Sequence, residues 1–363
     1  MSSQSTKFYL KLRKVIYITF AWLCLSLFQV FYDYLIVVSY TNNPEIFRLP
    51  AVLASTIFIA FIAGIIGGIF IVNKVEPWLR SLPFWKALLL LFSFYGISGF
   101  CLLPLGSLLY QSLVLQASPV DAVVVGAVKK FVTGLDFIKL FVSWGIIFIG
   151  TIVALMIYDK YGPGNFRNLL LGRYFHPRTE ERIFMFLDIR SSTTIAEKIG
   201  NERYFQFFHD FINDATPSIL YAQGEIYQYV GDEIVVSWTI PNGTVDNNCI
   251  HCFFEIQAAI QAKQAQYLKL FGYVPSFKAG LYHGAVVTGE IGTIKKEISF
   301  SGDVLNTASR IQSACNKYQV DLLISDELLS ILTLSEKYNV QRIGTIQLRG
   351  KTEGVGLNAI SKK

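Results

Sequence analysis

Four long apolar runs in the first 160 residues, at 16–39, 50–73, 84–109 and 139–158, constrain this chain more than any other feature. Each has the roughly 20 residues a helix needs to cross a bilayer. Because hydrocarbon offers no partner to backbone amides, such runs must be helical. Residues 1–158 are therefore read as an all-α, four-helix transmembrane domain. The first run follows Lys7, Lys11, Arg13 and Lys14. It is longer than a signal-peptide core and lacks a small-residue cleavage site, so it is expected to be retained. Lys74, Arg80 and Lys86 fall between the second and third runs, whereas the first opposite loop carries only Arg48 and the second carries Lys129 and Lys130. That bias puts the N-terminus, the middle loop and everything after residue 158 on the cytoplasmic face of the inner membrane. An even number of crossings agrees. The lipid bilayer is then a partner, and nucleic acid is not: the net charge of +6 in a chain that is 52% hydrophobic and 16% charged sits largely beside apolar segments.

Asp33 lies late in the first run between Tyr32 and Tyr34. An ionisable group at membrane depth invites a sensing role; the plainer reading is an outer-interface position among belt aromatics. The loop around 110–138 reads as an amphipathic piece on the membrane. Five cysteines show no disulfide framework, and the lone Cys249-x-x-Cys252 pair with His251 between reads as buried helix positions before it reads as a metal site.

A linker is expected over 159–181, where Pro-Gly at 163–164 breaks the last span and NFRNLLLGRYF could form a short amphipathic coupling helix. The soluble domain, 182–363, opens with RIFMFLDI, an apolar strand ending in Asp188 and followed by helix-capping SSTT. A strand-end carboxylate suits a hard cation, and the free amides of the next turn suit phosphates. GEIYQYVGDEIVVSW reads as a hairpin turning at Gly231-Asp232. Turn chemistry alone explains that Asp, but with Asp188 it makes a pair able to share metals. Downstream, ISFSGDVLNTASRIQSACNKY enters a helix on which Asn306 and Arg310, four apart, share one face; an Arg there can hold phosphate oxygens by two donors. The alternation of elements predicts an α+β domain with helices on one side of a mainly antiparallel sheet.

FMFLDIRSST, YQYVGDEIV, SFSGDVLNTASRIQ and LRGKTEG, in this order over about 180–360, resemble the class III adenylate/guanylate (nucleotidyl) cyclases. The several spans before them look like the membrane-bound bacterial branch. The resemblance implies a ferredoxin-like cyclase domain that converts a nucleoside triphosphate to a 3′,5′-cyclic nucleotide and pyrophosphate for intracellular signalling. It implies that Asp188, the Ile189 backbone and Asp232 hold two Mg²⁺ or Mn²⁺ per active site. Asn306 would position the ribose, and Arg310 would stabilise the α-phosphate in the transition state. The backbone of Ile189, Arg190, Ser191, Ser192 and Thr193 would cradle phosphates, with Lys351 on the terminal ones. In this family the sites form between two chains; this chain carries both sets of residues, so a homodimer with two shared sites is implied.

The departure is at the base pocket. Adenylate forms typically carry Lys and Asp, and guanylate forms Glu and a small residue, at the positions of Gln228 and Ser299. Both residues here donate and accept, so either base can be read. The neutral pair lacks the carboxylate that favours guanine, which makes ATP the favoured substrate and GTP the alternative. A catalytically inactive pseudo-cyclase is disfavoured by the intact Asp188, Asp232, Asn306 and Arg310. An RNA-binding domain lacks an aromatic stacking motif, and no diguanylate-cyclase signature is present.

Overall fold

The computed structural model describes residues 3–161, 172–294, 296–347 and 354–363. Two compact units emerge, the first being Lys7–Tyr158 and the second containing everything described from residue 172 onward.

In the first unit α1 (Ser3–Thr41), α2 (Leu49–Phe70), α3 (Phe84–Leu115) and α5 (Leu135–Tyr161) account for the four apolar runs. Four stretches here are long and apolar enough to cross a membrane: Lys11–Thr41, Pro44–Trp78, Trp85–Leu115 and Leu135–Tyr158. The loop read as amphipathic contains α4 (Ala122–Val132), whose first turn is capped by the Asp121 side chain on the Val123 amide at 3.0 Å. Asp33 acquires a partner the sequence did not disclose. Lys139, early in α5, reaches its Oδ1 at 2.7 Å, so this acid and base on the first and last of the four apolar helices form an ion pair.

The second unit is an eight-stranded sheet with the order β2-β3-β1-β4-β6-β8-β7 and β5 paired to β4. The strands are β1 (Arg178–Ile189), β2 (Glu225–Val230), β3 (Glu233–Thr239), β4 (Phe277–Ile291), β5 (Glu297–Ser301), β6 (Leu322–Ser325), β7 (Tyr338–Ile346) and β8 (Val355–Lys362). Among the described residues only the β4–β6 ladder is parallel. β1 begins at Arg178, inside the stretch read as linker, because Arg178–Glu181 pair with the far half of the long β4. Residues 162–171, which hold most of the proposed coupling helix, lie outside the described residues.

β1 is central and buried on both faces, which is why its sequence reads as a continuous apolar run instead of an alternation. Ile183, Met185 and Leu187 face a core closed by α6 (Ser192–Ile199), α7 (Asn201–Tyr221), α8 (Asn248–Gln261) and α9 (Gln264–Phe271). Phe184 and Phe186 face the other way, into a cluster with Val235, Val286 and Phe300. Leaving such side chains wet would forfeit about 1.5–3 kcal/mol each. The helix that covers them is α10 (Asp303–Tyr318), through Val304 and Ala308. The expectation of helices on one side is thus corrected: α10, the helix bearing Asn306 and Arg310, lies on the opposite face. Cys249 and Cys252 are buried on α8, and burial pushes the Cys249 thiol up to about 12. Among the described residues no group of three or more His, Cys, Asp or Glu gathers for a metal.

Candidate functional site

The side-chain alternation of β1 brings Asp188 to the face that carries Phe184 and Phe186. Across the β1–β3 ladder Asp188 stands opposite Glu233. On the next ladder Val230 pairs with Glu233, leaving Gly231 and Asp232 as a two-residue loop. Gly231 has φ +61°, the left-handed region this tight turn requires and which a side chain would resist. The hairpin tip and the strand end therefore meet, and Asp188 and Asp232 become neighbours. Burial pushes the Asp188 carboxyl above its ordinary value, Lys278 pulls it down, and the Asp232 charge raises it again. Glu233 is raised by burial and then by the same two carboxylates.

Two residues that the motif reading passed over hold Asp188 in place. Lys278 Nζ lies 3.2 Å from its Oδ2, and Gln312 Nε2 donates to that same oxygen at 2.7 Å. Both engage one oxygen, so Oδ1 has no protein donor among the described residues. The signals were present in hindsight. Lys278 stands at a core position between Phe277 and Ala279 on β4, where a lysine is rare without a partner, and Gln312 occupies a buried position of α10.

Ile189 ends β1 opposite Phe277. Arg190 is committed elsewhere: its amide donates to Ser276 O at 2.8 Å, and its guanidinium donates to Asn316 Oδ1, Val320 O and Asp321 Oδ1. Ser191, at φ +55°, then turns the chain into α6, whose first-turn amides at Ser192 and Thr193 have no intrahelical acceptor. Tyr204 on α7 is a further neighbour. Burial, and then the charge of Asp232, push its hydroxyl up to about 12, with Ser192 pulling the other way. Lys351 lies outside the described residues.

Gln228 on β2 and Ser299 on β5 each adjoin one of two residues that meet across these strands, Tyr227 and Phe300. A bulge at Tyr227 interrupts the β2–β3 register, and Tyr227 Oη accepts from the Phe300 amide at 3.3 Å, with the two rings edge to face at 4.8 Å. The neighbours of this pair in sequence are Gln228 and Ser299. Asn306 and Arg310 point elsewhere. At about 100° per residue, Gln312 facing Asp188 turns Arg310, two positions back, roughly 200° around α10. Arg310 has no carboxylate partner among the described residues, and its Nη1 is buried with nothing to donate to. A buried unpaired guanidinium nitrogen is costly.

The raised acids give a pH expectation. A carboxyl whose folded value lies above its unfolded one adds stability at low pH, and that stability disappears as pH rises from the ordinary value near 4 through the folded one. With a chelator present, melting temperature should fall over that window, and Glu233→Gln should flatten the fall. An unchanged slope in the variant would show that Glu233 is not part of the titrating cluster.

Residues 176–358, half of the chain, match the family model described as the adenylate and guanylate cyclase catalytic domain. An adenylate cyclase 2 of Rhizobium meliloti (strain 1021) is 31% identical over 210 residues, 58% of this chain and 58% of that protein. A receptor-type guanylate cyclase of Caenorhabditis elegans, gcy-10, is 22% identical over 192 residues, 52% of this chain and 18% of that one. The chain thus spans little more than half of one relative and less than a fifth of the other. Among solved structures, a bacterial light-regulated adenylyl cyclase aligns with TM-score 0.51 at 19% identity, covering 59% of this chain and 64% of that one.

Proposed function

Because the chain belongs to the adenylate and guanylate cyclase catalytic-domain family, we propose that it is a membrane-anchored cyclase converting ATP to 3′,5′-cyclic AMP and pyrophosphate. The observation that carries this reading is the meeting of Asp188 and Asp232 at the end of β1, beside the open first turn of α6. The ribose 3′-oxygen bonds to the α-phosphorus, the bond to the β-phosphate oxygen breaks, and the hydroxyl proton passes to solvent. Arg310, whose Nη1 lacks an acceptor, receives charge growing on the α-phosphate oxygens, the electrostatic work that dominates such transfers. Asn306 orients the ribose. Ser192 and Thr193 amides take phosphate oxygens, and Lys351 the terminal ones.

The carboxylate pair fits hard divalent cations. Asp188 keeps Oδ1 without a protein donor, Asp232 sits at an open turn, and two acids leave most of an oxygen shell to phosphates and water. Asp188, Asp232 and the Ile189 carbonyl would hold two Mg²⁺ or Mn²⁺, which supply charge neutralisation at the polyphosphate when bound.

Gln228 and Ser299 read the base. ATP is favoured by the neutral pair and by the adenylate cyclase relative; GTP is the alternative. Since Arg310 and Asn306 turn away from Asp188 on α10, we place the complete site between two copies of the chain, one giving the carboxylates, the other the base, ribose and transition-state residues Gln228, Ser299, Asn306 and Arg310. The domain division is 1–158, 159–181 and 182–363, with the four helices in the inner membrane and the N-terminus and cyclase domain in the cytoplasm, as the Lys/Arg bias supports.

Purified full-length protein with Mn²⁺ and either ATP or GTP, its products separated chromatographically, tests the reading. Cyclic AMP should exceed cyclic GMP, and Asp232→Asn should abolish both. No cyclic product from either nucleotide overturns the enzyme assignment.

A further inference from the structure

Arg182, in the middle of β1, is 1% exposed and takes no part in the chemistry described above. Its surroundings are built for it. Nε donates to Glu180 Oε2 at 3.0 Å, Nη1 to Glu225 Oε2 at 2.8 Å and to Ser237 Oγ at 3.0 Å, and Nη2 to the Tyr174 hydroxyl at 3.3 Å. The guanidinium carbon lies 4.7 Å from the centroid of the Phe300 ring. One planar group thus fastens β1, β2, β3 and β5, a task that suits the fixed fork and flat face of arginine and not the point charge of lysine.

Such a cluster is a poor way to gain stability. Desolvating the charges consumes most of what the pairing returns, and apolar replacements of equal volume often fold as well. What it supplies is position. Glu225 precedes Gln228 on β2, with the bulged Tyr227 between them; Phe300 follows Ser299 on β5. Phe300 stacks edge-on against Phe184 at 5.3 Å and Tyr227 at 4.8 Å, and its amide donates to Tyr227. Arg182 therefore grips both strands that carry the base residues, each within three residues of the one concerned. The bulge bends and twists β2 just before Gln228, and the Glu225 contact fixes the strand on the other side of that bend.

We infer that Arg182 is a positioning residue for base selection, holding Gln228 on β2 and Ser299 on β5 at a fixed separation through Glu225 and Phe300. The inference rests on the assignment of Gln228 and Ser299 to the base. Loosening the grip blurs the distance between two neutral readers, so discrimination suffers before turnover does.

The test measures kcat and KM for ATP and for GTP in the full-length protein and in Arg182→Met, Arg182→Lys and Gln228→Glu. Arg182→Met should move the ATP-to-GTP ratio of kcat/KM by about tenfold, chiefly through KM, while lowering the melting temperature because Glu180 and Glu225 lose their partner; Arg182→Lys should recover only part of the ratio. Should Arg182→Met fail to fold, Phe300→Leu, which keeps an apolar core and removes the stacking face, reads the same ratio. A ratio that moves with Gln228→Glu but stays within about twofold in the Arg182 and Phe300 variants overturns this inference alone. A ratio that moves in none of them overturns the base assignment and this inference together.

Discussion

Asp188→Ala and Arg310→Ala chains, each inactive by itself, are expected to regain activity when mixed. The reason lies in α10. The helix uses one face to cover Phe184 and Phe186 and to deliver Gln312 to Asp188, so Arg310 is turned away from the carboxylates of its own chain. A site that needs both must draw them from two chains. Removing either is expected to cost roughly 10²–10³ in rate, the scale for losing a charge-stabilising donor. In a random equal mixture half the dimers are mixed, and each mixed dimer has one intact site of two. Recovered activity should then approach about a quarter of the unmutated level under co-expression. A mixture no more active than its parents would overturn the shared-site reading while leaving the cyclase assignment to the direct product assay. The Arg310→Ala protein should also keep its melting temperature, since that guanidinium nitrogen has no acceptor to lose.

The features legible in the sequence are those in which chemistry and local structure coincide. Four apolar runs must be helices, whatever packs beside them, and the four described helices match them. Gly231-Asp232 is a turn by its own conformational needs, and Asp188 ends an apolar run where a strand must stop. Such signals lie within ten residues and need no knowledge of the rest of the chain. Everything that depended on distant pairing was hidden. Lys139 is invisible as the partner of Asp33 because they are joined only by helix packing across the bundle. Lys278 and Gln312 meet at Asp188 from separate elements on one face of the sheet. The bulge at Tyr227 left the apparent alternation of β2 intact in sequence while shifting its ladder. The side of the sheet taken by α10 could not be read from element order, since that choice is made by which face of β1 and β4 remains apolar and uncovered.

β4 shows how such a choice is written in a residue that carries no chemistry. In SFKAGLYHG the glycines first suggest only a strand rich in small residues. At Gly280 the reason is contact: an added Cβ would lie 2.2 Å from the Gln312 amide nitrogen, 2.6 Å from its Cα and 2.7 Å from the Ala308 carbonyl oxygen. All three are backbone atoms of α10, so no rotamer change can relieve the overlap, and the helix must move. Moving it uncovers Phe184 and Phe186, draws Gln312 off Asp188 and displaces Asn306 and Arg310 from whatever they meet. Gly280→Ala is therefore expected to destabilise the C-terminal unit by about 1–3 kcal/mol, the usual range for overpacking, and Gly280→Val by more. Activity should fall further than stability explains, because an ångström of misplacement at a phosphoryl-transfer site costs about 10² in rate. The check is a pair of measurements on the full-length protein, thermal melting and turnover well below the melting temperature. Unaltered melting and turnover in Gly280→Ala would mean that α10 does not sit against β4 in this way, and the argument that turns Arg310 toward a second chain would lose its footing.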